Sequence, residues 1–266
     1  METTEFQEIV WEKAKELYRD MPWRQDTRPY YVLVSEIMLQ QTQVDRVVPK
    51  FEAFIAAFPD IATLASANLA DVLVLWSGLG YNRRAKFLHE AAKMIERDFN
   101  GVMPNTLADL IKLPGVGVNT AGAILVYSFN TPVTFIETNV RTVYFYHFYD
   151  DSQQVSDKDL AALVAETSDR EHPREWYWAL MDYGSYLKRQ GVGRINKSTH
   201  YKKQSALKGS VREVRGKIVK ELAKADITLE SLKEAVVFDE RFNPALEGLI
   251  ADGLVAKTGD QLHLAR

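Results

Sequence analysis

Apolar residues recur every three or four positions through most of the chain, which is the period of an amphipathic helix. The repeat is clearest in residues 29–58, 69–79, 83–99, 106–113 and 119–129. Asp60, Asn68 and Thr106 stand where helix N-caps belong, and glycine turns end several stretches. The pattern therefore predicts a mainly α fold.

The pattern changes near the C-terminus, where residues 209–266 read as three short helices followed by an alternating apolar and polar segment. That segment is centred on Gly259-Asp260, a dipeptide typical of a β-hairpin turn. We predict a small winged-helix-like domain over 209–266. Such a module serves either DNA binding or packing, and its weakly charged third helix does not choose between them.

Composition excludes several classes of site. The chain has 266 residues, 46% of them hydrophobic, which suffices for one large domain or two smaller ones. It contains no cysteine, so thiolate nucleophiles, disulfides and Cys-ligated metal sites are excluded, and its five histidines show no ligand spacing. No apolar window approaches a membrane span. We expect a soluble, cytoplasmic protein without a membrane partner.

Charge is segregated although the net charge is only −3. The stretch 186–220 contains eleven Lys or Arg and the single acid Glu213. A solvated linker explains such a run, but its length and its interleaved aromatic residues favour a surface that follows a nucleic-acid backbone.

The string LPGVGVNTAGA, residues 113–123, is a glycine turn between two predicted helices. It lacks the Gly-Lys-Ser/Thr of a Walker loop and the preceding strand of a dinucleotide loop. The stretch reads as a helix-hairpin-helix whose backbone amides suit a phosphate, although a plain helix–helix connection has the same pattern.

Over about residues 8–190 the sequence closely resembles the MutY adenine DNA glycosylases, members of the helix-hairpin-helix superfamily that includes endonuclease III. The motifs PWR, SEIMLQQTQV, GLGYNRRA and LPGVGVNTAGA occur in the family's order. The resemblance implies a glycosylase domain over 1–208 with two all-α lobes, one of 21–130 with the hairpin and one of 1–20 plus 131–208. DNA and the extruded base would then lie between the lobes.

Glu36 is the candidate acid. It stands in the apolar run VLVSEIML, where desolvation should raise a carboxyl pKa toward neutrality. On periodicity alone, a carboxylate on the solvent face of the helix is the simpler interpretation. By resemblance, Glu36 protonates the purine and then handles the attacking water.

A second carboxylate departs from the family. Its members place Asp where this chain has Glu137 in FIETNV, to stabilise the oxocarbenium-like sugar. The extra methylene matters because catalytic geometry is tight. Asn139 matches a family Asn and is expected to orient Glu137. The alternative is that Glu137 only caps a helix.

Asn119 occupies the position where relatives with lyase activity have a Schiff-base lysine. The resemblance therefore implies a monofunctional enzyme and an altered base pocket. The amides of Gly115, Gly117 and Asn119 are expected to bind DNA phosphate. The resemblance also suggests a structural Na⁺ or K⁺ ion on the carbonyls of Ile111, Leu113 and Val116.

Further contacts follow from the matching motifs. Met21, Trp23 and Arg24 are expected to line the base pocket, and Gln41 and Tyr81 to wedge into the base stack. Asp182 matches a family acid near the site, although helix capping explains it equally well. The other expected DNA-contacting residues are Gln40, Thr42, Leu79, Arg83, Arg84, Lys188, Arg189, Lys197, Lys202 and Lys203.

Two absences limit the substrate. The four cysteines that hold a [4Fe–4S] cluster in most relatives are missing, and 209–266 is too short for a Nudix-like domain that recognises 8-oxoguanine. We expect a bacterial-type monomeric DNA glycosylase of base excision repair without a cofactor, acting on mispaired adenine in double-stranded DNA. The alternatives are a mismatch thymine or uracil glycosylase and a catalytically silent DNA-binding protein.

Overall fold

A computed structural model describes residues 1–150, 155–193, 206–236 and 238–266. Helices make up most of this part of the chain, as the periodicity predicts. Contacts divide the chain into two compact units. The first unit consists of Met1–Val32, Asn105–Ile111 and Val116–Lys203, and the second of Leu33–Pro104, Lys112–Gly115 and Gln204–Arg266.

The first unit is built on an aromatic core between its longest helices. Its elements are α1 (Thr3–Leu17), α2 (Pro22–Gln25), the start of α3 (Pro29–Leu39), α8 (Leu107–Leu110), α9 (Val118–Phe129), α10 (Thr138–Phe148), α11 (Asp157–Thr167) and α12 (Pro173–Arg189). Phe6 of α1 packs against Tyr144 of α10 and Trp176 of α12, with ring centroids 5.0 and 5.9 Å away. Burial of these large rings stabilises the unit.

The second unit contains the rest of α3 and most of the shorter helices. These are α4 (Val44–Ala57), α5 (Ile61–Ser66), α6 (Leu69–Trp76), α7 (Arg83–Phe99), α13 (Val211–Leu222), α14 (Leu229–Ala235) and α15 (Phe242–Ala251), with strands β1 (Ile227–Thr228), β2 (Val255–Thr258) and β3 (Gln261–Leu264). Trp76 is fully buried, and its ring lies 6.2 Å from that of Phe54.

Several helix ends carry the expected capping residues. The side chains of Asp60 and Thr106 accept hydrogen bonds from the backbone N–H of Thr63 and Asp109, which confirms both predicted N-caps. Asn68 occupies the N-cap position of α6 without a side-chain bond.

Residues 206–236 and 238–266 have the predicted order of three helices and a hairpin. β2 and β3 pair antiparallel from Val255–Leu264 to Thr258–Gln261, and the turn between them contains Gly259 with φ 59°. The two-residue strand β1 pairs with the other side of β3 and was not predicted.

The boundaries of the two units differ from those of the two predicted lobes. The second hairpin helix, α9, belongs to the first unit, whereas the C-terminal elements belong to the second unit together with α4 to α7. The functional domain boundaries stay a prediction. Within the described residues, no helix combines the length and apolar content needed to cross a bilayer.

Candidate active site

Glu36 lies on α3, a helix that is buried on most of its surface. Its neighbours Ser35 and Ile37 have no exposed surface, whereas Glu36 itself is half-buried. A residue that merely belonged to a solvent-facing stripe would be exposed. The placement therefore favours the interpretation of Glu36 as a partly desolvated carboxyl over one on the solvent face of a helix.

Arg84 holds the C-terminal end of the helix that carries Glu36. Its guanidinium donates hydrogen bonds of 2.7 to 3.1 Å to the carbonyl oxygens of Ile37, Met38, Gln40 and Gly80 and to the hydroxyl of Thr42. The last carbonyls of a helix have no partner within the helix, so these bonds cap α3. Burial lowers the pKa of the Arg84 guanidinium to about 10, which still leaves it charged at neutral pH.

This arrangement corrects the expected DNA contact of Arg84, whereas Gln40 and Thr42 bond within the protein but are only half-buried, so their DNA contacts stay a prediction. Arg84 is 8% exposed and directs its donors into the protein instead of toward phosphates. Gln40 donates from Nε2 to the carbonyl oxygen of Gly115 at 3.2 Å, and Thr42 is an acceptor for Arg84. Polar side chains of this motif therefore build the scaffold around α3.

We expect Arg84→Lys to destabilise the protein by about 2–4 kcal/mol, because one ammonium group cannot replace a planar fork that serves several buried carbonyls. Urea unfolding measures the effect. Arg97→Lys on α7, the helix that also carries Arg84, is the control, since its side chain is 68% exposed and forms a surface ion pair with Asp98 at 2.7 Å. Equal unfolding midpoints for the two variants would contradict the capping role.

Gln41 and Tyr81, the expected wedge residues, share an uncommon backbone conformation. Their φ angles are 56° and 49°, in the left-handed region that non-glycine residues rarely adopt. Such strain is concentrated at functional sites. Gln41 is exposed and Tyr81 is half-buried. Leu79, in contrast, is 3% exposed, so its side chain packs inward instead of facing DNA.

Helix α13, the first helix of residues 209–266, contacts the loop that contains Tyr81. Arg212 donates a hydrogen bond to the Tyr81 hydroxyl, and its guanidinium lies 5.1 Å from the centroid of the ring. Nearby, Arg83 pairs with Asp252 at 3.5 Å while 60% of its side chain stays exposed. Residues 209–266 therefore pack against the Tyr81 loop and α7, which is one of the two roles that the sequence left open for them.

The hairpin turn uses its glycines differently. Gly115 has φ 79°, a conformation that disfavours side chains, and a Cβ there would lie only 2.9 Å from Cβ of Phe87. Backbone conformation and lack of space therefore both require glycine. Gly117 is the N-cap of α9 and faces open space. Phosphate binding by these amides stays a prediction, as does an alkali-metal ion on the carbonyls of Ile111, Leu113 and Val116.

The side chain of Asn119 forms two hydrogen bonds to one peptide segment. Its Nδ2 donates to the Ile136 carbonyl oxygen at 2.9 Å, and its Oδ1 accepts from the Ile136 N–H at 3.3 Å. The amide is thus engaged in backbone contacts although the residue is exposed, and its place in the base pocket stays a prediction.

Glu137 follows that segment and occupies the N-cap position of α10. Its side chain makes no cap hydrogen bond, so capping does not explain the residue. The residue is half-buried, and burial raises the pKa of its carboxyl. A desolvated carboxyl without a cap role is a candidate for chemistry.

Asn139 does not orient Glu137 as expected. Its Nδ2 lies 3.7 Å from the sulfur of Met181, and its Oδ1 accepts a hydrogen bond from Nζ of Lys188 at 3.1 Å. Burial is the main cause that lowers the pKa of Lys188. Arg189 is exposed, while Lys197, Lys202 and Lys203 lie outside the described residues.

Asp182 is an internal anchor. It lies inside α12, so it caps no helix, and it is 2% exposed. Its carboxylate accepts two hydrogen bonds from Arg24 at 2.7 and 3.0 Å and one from Nε of Arg19 at 2.6 Å. The Arg24 guanidinium is therefore engaged by Asp182 instead of facing a base. Its sequence neighbours Met21 and Trp23 are also buried, with 5% and 6% of their surface exposed.

Sequence reasoning missed Tyr177 and Gly184, both on α12. The Tyr177 hydroxyl bonds the backbone of Phe135, and a Cβ on Gly184 would lie 2.3 Å from the carbonyl oxygen of Asn139. The one available signal was a glycine inside a strongly helical stretch, which points to a close approach of backbone.

Comparison with known proteins agrees with this geometry. A family model described as "HhH-GPD superfamily base excision DNA repair protein" matches residues 34–170, which is more than half of the chain. The chain belongs to the HhH-GPD superfamily.

Within the superfamily its relatives include proteins named adenine DNA glycosylase. The one from Mycobacterium tuberculosis is 36% identical over 91% of this chain and 88% of its own length. The one from Buchnera aphidicola (Baizongia pistaciae) is 39% identical over 64% of this chain. The chain spans about half of that relative, with 48% of its length matched.

Solved structures show the same fold. A thermostable thymine-DNA glycosylase superposes with a TM-score of 0.62 at 23% identity, over 69% of this chain and 88% of its own. Endonuclease III in a trapped covalent intermediate with DNA superposes with a TM-score of 0.57 at 18% identity, over 77% of this chain and 90% of its own.

Proposed function

We propose that this protein is a monofunctional DNA N-glycosylase of base excision repair that hydrolyses the bond between deoxyribose and a mispaired adenine. The observation that carries the proposal is the match to the mycobacterial adenine DNA glycosylase over 91% of the chain. A match over that share of the chain spans both Glu36 and Glu137 and reaches into residues 209–266. The likeness is therefore wider than the family model, which ends at residue 170.

In this proposal Glu36 supplies the proton that adenine needs as a leaving group. The electron pair of the broken N-glycosidic bond goes to the protonated base, and water adds to the sugar carbon after Glu36 removes its proton. The half-buried position of Glu36 on α3 supports this role. Glu137, when ionised, stabilises the positive charge that develops on the sugar.

The proposed substrate is double-stranded DNA with adenine opposite guanine or 8-oxoguanine, acted on by a monomer at the bacterial nucleoid. Asn119 in place of a Schiff-base lysine supports hydrolysis without strand cleavage. An iron–sulfur cluster does not fit, because the chain has no cysteine to ligate it. No step of the proposed reaction needs a metal.

A panel of end-labelled duplexes tests the proposal. Each duplex contains one of A·8-oxoG, A·G, T·G, U·G or hypoxanthine·T, and strand breaks are measured before and after alkali. We expect breaks only after alkali and only in the two adenine duplexes.

Each other outcome has a definite meaning. Alkali-dependent breaks confined to T·G or U·G would replace adenine by a pyrimidine as the substrate. Breaks without alkali would overturn the monofunctional assignment. Salt-sensitive binding with no breaks in any duplex would leave only a DNA-binding protein.

A further inference from the structure

The segment just before Glu137 belongs to no helix or strand. Phe135 and Ile136 are 2% and 8% exposed, so their backbone N–H and C=O groups cannot rely on water. Buried backbone polar groups are nearly always paired. Their partners here are two side chains instead of a sheet.

Asn119 and Tyr177 together satisfy all four groups. Asn119 exchanges two hydrogen bonds with Ile136, at 2.9 and 3.3 Å. The Tyr177 hydroxyl accepts from the Phe135 N–H at 3.1 Å and donates to the Phe135 carbonyl oxygen at 3.3 Å. We call these two residues and the peptide that they hold the Phe135–Ile136 clamp.

Packing presses the same segment into place. The rings of Phe135 and Tyr177 are stacked with centroids 4.1 Å apart and an angle of 13° between their planes. A Cβ on Gly122 of α9 would lie 2.7 Å from Cβ of Phe135, so only glycine admits this approach. The segment therefore has little freedom to shift.

The clamp ends one residue before Glu137, and a second constraint begins two residues after it. Gly184 of α12 lets the backbone of Asn139 approach so closely that any Cβ would overlap it, at 2.3 Å. The backbone position of Glu137 is thus fixed from both sides. Since Glu137 itself makes no cap bond, its backbone decides where the carboxyl begins.

An asparagine suits this position for a chemical reason. Its amide presents one donor and one acceptor in a plane, which matches the C=O and N–H of a single residue. An aspartate has the same shape but places an acceptor against the Ile136 carbonyl oxygen. A serine reaches only one of the two groups.

We propose that Asn119, supported by Tyr177, is a positioning residue that places the Glu137 carboxylate for base excision through the backbone of Ile136. The inference rests on the proposed function. It assigns the hairpin helix α9 a part in the chemistry that is separate from phosphate binding.

The test compares Asn119→Asp with wild type in single-turnover excision of adenine from an A·8-oxoG duplex. A displacement of about 1 Å costs about 10²-fold in rate, so we expect a loss of about 30- to 100-fold. The Kd for the duplex is measured separately, because a new carboxylate on the hairpin weakens binding to DNA phosphate, whereas the single-turnover rate at saturating enzyme reports the chemical step alone.

Two further variants separate positioning from simple destabilisation. Tyr177→Phe removes only the hydroxyl and keeps the ring stacking, and we expect it to lower the rate about tenfold. Asn105→Asp introduces the same new charge at an exposed residue outside any helix and should match wild type.

Non-additivity is the decisive readout. If Asn119 acts through Glu137, Asn119→Asp should slow a Glu137→Gln enzyme by no more than about twofold. A full additional loss in that background, or unchanged rates for both Asn119→Asp and Tyr177→Phe, would overturn the inference.

Failure of the proposed function gives a different result, because wild type itself would then excise no base. The clamp remains measurable in that case from thermal unfolding at pH 7. Coupling between Asn119→Ala and Glu137→Gln in Tm would support it, and strict additivity of the two Tm shifts would refute it.

Discussion

Glu36→Gln is expected to lower the rate of adenine excision by at least about 10³-fold while DNA binding persists. Glutamine has the shape of the carboxyl but neither donates an acidic proton nor accepts one from water. Because Glu36 is half-buried on a helix whose end is fixed by Arg84, the substitution should not disturb the fold. Single-turnover excision and binding to the same duplex measure the two effects separately.

Glu52→Gln is the matched control for this experiment, since Glu52 is an exposed acid on the neighbouring helix α4. It removes the same charge from the second unit and should leave the excision rate unchanged. A Glu36→Gln enzyme that retains more than about a tenth of the wild-type rate would show that another group provides the proton.

The helices of this chain were predictable where local pattern decides them. Residues 83–99 were predicted as one helix and form α7 with the same bounds. The hairpin at Gly259 was predicted from its turn dipeptide, because φ > 0 is a local requirement. The strand β1 was missed because two residues carry no detectable alternation.

Periodicity failed to predict a helix end where the turn is held by a residue far away in sequence. The apolar repeat continues through 29–58, but α3 ends at Leu39 and α4 starts at Val44. Nothing in the glutamines between them forbids a helix. The turn is held by Arg84, which bonds the Gln40 carbonyl oxygen from 44 residues later in the chain.

The same limit applies to the candidate site. A basic or amide side chain in a DNA-binding motif reads as a DNA contact, yet Arg84, Arg24 and Asn119 all bind protein groups. A sequence gives the chemistry of a donor but not its acceptor. Arg24 could be recognised as an ion-pair partner only with Asp182, which lies 158 residues away in sequence.

Glu137 was easier to single out, because its carboxyl stood at a motif position where the family has Asp. The sequence did not show in which direction folding shifts the pKa of Glu137. Burial raises its pKa in the folded protein, so the native state binds the proton more tightly than the unfolded chain does. The raised pKa makes Glu137 a cost to stability as well as a candidate for catalysis.

Glu137→Gln is therefore expected to raise Tm at pH 7 while lowering the excision rate about 10²- to 10³-fold. Between the unfolded and folded pKa values the native state holds more protons, so the stability attributable to Glu137 falls as pH rises through that window. Above the window, a tenfold difference in proton affinity between the two states costs about 1.4 kcal/mol of stability. Thermal unfolding of both proteins from pH 4 to pH 8 measures the difference.

The difference in Tm should vanish near pH 4, below the unfolded pKa, and should reach a plateau above the folded pKa. On the acid limb of the pH–rate profile the wild-type excision rate should rise with pH, because only the ionised Glu137 carboxylate stabilises a cationic sugar, and Glu137→Asp should retain this limb. The basic limb reports loss of the proton that Glu36 donates. Glu52→Gln supplies the baseline for removing an exposed acid. A Glu137→Gln protein that is less stable than wild type at pH 7 would mean that its carboxylate is paired in the native state, and the stabilising role would then belong to another residue.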